Sequence, residues 1–155
     1  MLKWFTADGA PTNLVKIIQI ARSYVEQNGK IYVGTDSFIS KSKVTFASTI
    51  CLHGADNSRG GQYFFKKEIL DPRQFLSLRQ RITHEVQNTI NLAMYLYESG
   101  VSDIEIHLDI SPSDGNAKTS KMTDALTGYV RGVGFECKVK PEAWAAQTVA
   151  DKHSK

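Results

Sequence analysis

The sequence predicts an α/β fold: a five-stranded mixed sheet with strands one to three antiparallel, helices on both faces, and an extra helix at the N-terminal end. Three observations predict it. Three strand-like apolar runs follow one another between residues 31 and 70 with only turn residues between them. After Pro72 the period changes, and helical and strand patterns alternate to the end of the chain. The 155 residues contain no internal repeat, low-complexity tract or Pro/Gly-rich linker, so residues 1–155 read as a single domain.

The elements follow in order. From Thr12 to Asn28, after Pro11, Leu14, Ile17, Ile18, Ala21, Tyr24 and Val25 fall at helical spacing, and Gly29 stands where a left-handed C-cap is expected. Ile31 to Thr35 is an apolar strand. A second runs from about Val44 to Leu52 and a third from about Gln62 to Leu70, the connections being "ISKSK" and the turn-rich "HGADNSRGG". Short connections of this kind make a meander. Arg79 to Glu98 reads as a long helix. "SDIEIHLDI" alternates strictly, with Ile104, Ile106, Leu108 and Ile110 on one face. "SPSDGNAK" is a loop, Ser120 to Arg131 a helix ended by Gly132 and Gly134, and "FECKVK" a short strand placed at an edge by Pro141. A last helix runs from Ala143.

Composition bounds the setting more than the function. A formal charge of +3, with 41% hydrophobic and 23% charged residues, is ordinary globular usage that permits an anionic partner without demanding one. Cys51 and Cys137 form no CxxC or zinc spacing and read as small buried hydrophobes in a reduced, cytoplasmic setting. No apolar run approaches the roughly 20 residues of a membrane span, and "MLKWFTADG" lacks the apolar stretch of a signal peptide.

Four carboxylates carry the chemistry. Asp36 follows the strand "KIYVGT" and has two readings: the Asp-Ser pair opens a turn, or Asp36 is a metal ligand at a strand end. Glu85 is more informative. Advancing about 100° per residue from Ile82, it falls between Leu92 and Leu96, inside the apolar sector, while His84 falls in the polar one. An inward carboxylate is met by something positive, a metal or an arginine such as Arg79, or it snorkels past the helix end. Asp109 shares its strand face with Glu105 and His107. That face is a solvated one, or, if the strand runs parallel to and beside the first, Asp109 joins Asp36 at one edge of the sheet. Asp151 shares a helical face with Trp144 and Thr148. It either makes a surface pair with Lys155 or belongs to the same site; His153 does not share that face.

Clustered carboxylates repel one another unless divalent cations neutralise them. Oxygen-only ligands suit Mg²⁺ or Mn²⁺ rather than zinc. A Ser/His/Asp set drawn from Ser37 with His84 or His107 has no G-x-S-x-G elbow and an outward His84, which argues against it.

"YVGTDS", the helix with "THEVQ", "IHLDIS" and the closing "WAAQTVADKHSK" together resemble the YkuK-type family of ribonuclease H-like proteins from about Asn13 onward. The resemblance implies a ribonuclease H-like sheet and a nuclease that hydrolyses phosphodiester bonds of RNA, DNA or a hybrid. It implies two Mg²⁺ or Mn²⁺ ions held by Asp36, Glu85, Asp109 and Asp151, with Asp36 bridging both. The sequence departs from typical ribonucleases H in its extra N-terminal helix and in having one short helix, without a basic handle, between strands four and five. Those departures bear on hybrid specificity more than on metal binding. Ser37, Asn116, Lys118 and Ser120 are expected to position substrate, with Ser113, Lys121, Lys41 and Lys43 as further candidates or ordinary loop residues. The competing expectation is a non-catalytic module of the same fold that binds nucleic acid or a protein partner.

Overall fold

In the computed structural model, which describes residues 3–56 and 60–155, the sheet is larger than the sequence predicts. It has seven strands rather than five: β1 (Trp4–Thr6), β2 (Pro11–Thr12), β3 (Lys30–Ile39), β4 (Val44–His53), β5 (Gln62–Leu70), β6 (Ile104–Leu108) and β7 (Glu136–Lys138), in the spatial order β2-β1-β5-β4-β3-β6-β7. The two additional strands are two and three residues long. Runs so short carry no periodicity. They form because β5 offers a free edge on which Trp4 pairs with Lys66 and Phe5 with Phe65. The predicted meander is present as antiparallel β3, β4 and β5, and β6 runs parallel to β3. β7 closes the opposite edge, as Pro141 suggests. Of the predicted turn "HGADNSRGG", Asn57 to Arg59 lie outside the described residues.

Three helices cover one face. In α1 (Leu14–Glu26) the Asn13 side chain accepts from the Lys16 amide at 3.0 Å, giving one orphan N–H its partner. Ile17 and Ala21 then enter the core. The left-handed residue after α1 is Asn28, with φ 67°, not Gly29. Asparagine tolerates that region better than most residues, so the cap moves one position. Ser77 caps α2 (Leu78–Glu98), whose Ile82, Val86, Ile90, Ala93 and Leu96 pack on Ile31, Val33, Ile50 and Ile106 of the sheet. Fully burying such side chains contributes about 1.5–3 kcal/mol each against the entropy of ordering them. α3 (Thr123–Val133) adds Val130 beside Cys137 and ends at Gly134, with φ 110°. Cys51 and Cys137 are free and buried, and burial pushes their thiols up to about 12 and about 11.

The other face carries a single chain segment. It is wound as a π-helix over Ala145–Ala150 and continues as α4 (Asp151–Ser154). Beneath it lie Tyr32, Gly34 and Asp36 of β3, and Glu105 and His107 of β6. The face of Glu105 and His107, open to a solvated reading in the sequence, is therefore buried, with His107 at 0% exposure. His107 accepts the Ala145 amide on Nδ1 at 3.1 Å, so Nε2 carries the hydrogen donated to Glu105 at 2.7 Å. Burial holds this imidazole neutral, against the opposing pull of Glu105. Among the described residues no helix is long and apolar enough to cross a membrane.

Candidate active site

Asp36 is not the first residue of a turn. β3 continues through it to Ile39, pairing Asp36 with Ala47 and Ile39 with Val44. What ends here is the neighbour on the other side: the β3–β6 pairing stops at Thr35 opposite Leu108. Asp36 is thus the first β3 residue beyond the carboxyl end of its parallel partner, and Asp109 leaves β6 at the same level. A parallel pair whose strands part in this way opens a crevice at the sheet edge, where α/β proteins place their sites.

The helical segment reaches this crevice because Gly34 lets it. A Cβ at Gly34 would stand 2.7 Å from the Ala146 nitrogen and 2.9 Å from the Ala145 carbonyl carbon. Both are backbone atoms that cannot swing aside. Thr49, paired with Gly34, donates to the Ala145 carbonyl at 3.1 Å. Laid this close, the segment sends Ala146, Ala150 and Ser154 toward the sheet, all buried. Ser154 donates to Asp36 Oδ2 at 3.2 Å, and Asp151 shares a hydrogen bond with the Asp36 carboxyl.

The structure brings all four predicted carboxylates to one place. Asp36, Asp109 and Asp151 meet on the face of the C-terminal segment. Asp36 has hydrogen-bonding contact with both of the others. Glu85 comes from α2 on the opposite face and accepts a hydrogen bond from the Ser37 hydroxyl. It is 4% exposed and makes no ion pair among the described residues, so the Arg79 alternative is not what occupies it. Arg81, one turn earlier in α2, exerts only a weak opposing influence. Asp109 is ion-paired through its Oδ1 with Lys140 Nζ at 3.1 Å. Asp151 does make the predicted pair with Lys155, at 3.1 Å, in addition to its contact with Asp36.

The electrostatics follow from this crowding. Burial, then the Asp109 and Asp151 carboxyls, push Asp36 up to about 8. Burial, then the Asp36 charge, holds Glu85 well above the usual carboxylate range. For Asp151 burial pushes upward but is outweighed by the hydrogen bond shared with Asp36 and by Lys155, so it sits low. Burial and the neighbouring carboxyls thus favour a proton on Asp36, while Asp151, the more exposed partner, stays ionised. The donor set is all oxygen, the chemistry that suits a hard cation. Among the described residues, however, no three His, Cys, Asp or Glu side chains already stand in a ligand arrangement.

The other predicted positions divide. Ser37 belongs to the site, through Glu85. Asn116 and Lys118, with Ser113 and Lys121, are exposed along the loop that follows Asp109 and into its short 3₁₀ turn, while Ser120 is buried with an unpartnered hydroxyl. Lys118 joins Ile39, Leu76 and Arg81 around a surface depression at the start of α2. Lys41 and Lys43 are exposed on the β3–β4 turn. His84 corrects its outward assignment: it hydrogen-bonds Glu68 at 2.9 Å and packs on Phe46 at a centroid distance of 4.4 Å. His153 stays away from the carboxylates, stacking on Phe65 at 3.7 Å and bonding the Tyr63 hydroxyl at 2.9 Å. It fastens α4 to β5. Ser154, Lys140 and the close approach at Gly34 were missed. The readable signal for Ser154 is its place in the row Ala146, Ala150, Ser154, at four-residue spacing.

Comparison with known proteins agrees with this fold. The family model described as Ribonuclease H-like matches residues 13–155. The chain is 23% identical over 159 residues to "Uncharacterized protein YkuK" of Bacillus subtilis (strain 168), an alignment covering 90% of this chain and 89% of the relative. No solved structure matches it. With the match running from the cap of α1 to the last residue, this chain belongs to the ribonuclease H-like family, in its YkuK-type branch.

Proposed function

We propose that the protein is a divalent-metal-dependent nuclease, hydrolysing phosphodiester bonds of RNA or DNA. The observation that carries this reading is the meeting of Asp36, Glu85, Asp109 and Asp151, from four separate elements, where β6 parts from β3. A fold gains nothing in stability from four carboxylates placed together. Asp36, Glu85, Asp109 and Asp151 would hold the two Mg²⁺ or Mn²⁺ ions. When bound, such ions would supply a water of lowered pKa and stabilise the leaving oxygen. The chain's own residues prepare the place. Ser37 orients Glu85, Ser154 orients Asp36, and the proton that burial and crowding keep on Asp36 is the charge that cations would displace. Lys140 beside Asp109 supplies a positive charge at the rim.

The test is incubation of the purified chain with single-stranded, duplex, hybrid and branched oligonucleotides in Mn²⁺, Mg²⁺ or EDTA. Cleavage of at least one substrate in metal, absent in EDTA and reduced at least about a hundredfold in Asp36→Asn, is the expected result. Folded protein that cuts none of them sinks the reading and leaves a binding module of the same fold.

A further inference from the structure

We propose that the uncovered corner of the sheet beside Asp36 is the docking track for a single strand of nucleic acid, read by one aromatic side chain and a set of lysines. The inference rests on the nucleic-acid reading above and adds which form of the polymer is bound and where.

Strand register sets out the surface. Asp36, Ala47 and Lys67 form one rung across β3, β4 and β5, and Phe38, Thr45 and Ile69 form the rung two residues farther on. Two residues along a strand return to the same face, so all six side chains lie on the face that carries the C-terminal segment. That segment stops at Ser154, over the first rung. Of the second, Thr45 is buried, while Phe38 and Ile69 at its two ends are 47% and 58% exposed. Phe38, Lys43, Lys67 and Ile69 line a cavity of about 200 Å³ whose inner wall is Ser154, the residue bonded to Asp36. On the far side of Lys43 and Ile69 a second depression adds Lys41.

The charge is one-sided. Among the described residues Lys41, Lys43 and Lys67 make no ion pair, and Asp71, the carboxylate in the adjoining depression, is taken by Arg73 at 2.6 Å. Glu68 points to the opposite face, toward His84. Unpaired ammonium groups beside a bare phenyl ring and an isoleucine suit a polymer that is anionic along one edge and flat and apolar along the other. A single strand has both surfaces free; in a duplex the base faces are stacked away, and only the lysines would find partners. Lys67 is two strands, roughly 10 Å, from Asp36, and Phe38 roughly 7 Å along β3, so adjoining nucleotides of one strand span the distance to the carboxylates.

The experiment is fluorescence anisotropy of a fluorescein-labelled 12-residue thymidylate and of a duplex of the same length, in EDTA, across a salt series. Single strand binds tighter than duplex. Phe38→Ala weakens the single strand at least about fivefold and leaves the duplex unchanged. Lys43→Ala with Lys67→Ala lowers the slope of log affinity against log salt by about 1.4. These side chains are exposed, so melting temperatures confirm that the variants fold. Tighter binding of duplex, or single-strand affinity indifferent to the substitutions, overturns the inference. Because EDTA silences cleavage, this failure is separate from that of the nuclease reading: cleavage with no role for the corner refutes the track alone, and a functional track on a protein that never cuts refutes hydrolysis alone.

Discussion

Gly34→Ala is expected to lower the melting temperature by about 6–12 °C and to remove any response of the protein to Mg²⁺ or Mn²⁺. The added methyl meets backbone on the far side, at 2.7–3.0 Å from Ala145 and Ala146. Relief requires the whole π-helical segment to lift, breaking the bonds of Ala145 to His107 and Thr49. Overpacking against an unyielding neighbour costs about 3 kcal/mol, and for a chain of this length each kcal/mol is about 2–4 °C. The same lift carries Asp151 and Ser154 away from Asp36, which couples the stability defect to the site. Gly128→Ala is the control. Gly128 sits within α3 with nothing near the new methyl, so that change is neutral or stabilises by about 0.5–1 kcal/mol. Differential scanning calorimetry of both variants decides: equal melting temperatures would mean that the close approach at Gly34 does not hold the C-terminal segment.

Asp36→Asn is expected to act in the opposite direction, raising the stability of the metal-free protein on the order of 2 kcal/mol at pH 7–8, a rise of about 4–8 °C. The sign follows from proton binding. In the unfolded chain an aspartate releases its proton near pH 4; in the native state Asp36 keeps it to about 8. Between those values the native state holds the extra proton, so wild-type stability falls as pH rises from about 4 to about 8, then levels off. Glu85, held high by burial and by Asp36, adds to the same slope. Asparagine carries no charge to bury and can donate toward Asp109 and Asp151, so the variant loses much of that slope. Denaturant unfolding of both proteins across this range measures it. A variant less stable than wild type at pH 8, with the wild-type slope intact, would mean that the crowding of carboxylates at Asp36 is not costly.

The fold was largely legible because its long elements obey single periods. The meander, the α2 stripe and the alternating β6 needed only spacing. What escaped notice depends on partners. β1 and β2 exist because β5 has an open edge. β3 reads as ending at Thr35 because Asp36 is polar, whereas β4 carries it on to Ile39. Glu85 was legible because a carboxylate in an apolar sector is out of place whatever surrounds it. Asp109 and Asp151 were legible only as alternatives. One depended on whether β6 lies parallel to β3, the other on what a terminal helix packs against. The phase of that helix was legible only in part: the spacing of Ala146, Ala150 and Ser154 marks the inward row, but π winding leaves Thr148 exposed, where α spacing groups Asp151 with Trp144 and Thr148.

Asp36 is the centre of the proposed cation site, and calorimetric titration with Mn²⁺ tests that most directly. Wild type is expected to bind Mn²⁺ with release of protons, since a cation must displace the one that Asp36 holds, and Asp36→Asn to bind at least about tenfold more weakly with little proton release. Folded wild-type protein that takes up no Mn²⁺, or an Asp36→Asn variant that binds it as tightly and with the same proton release, would contradict the account.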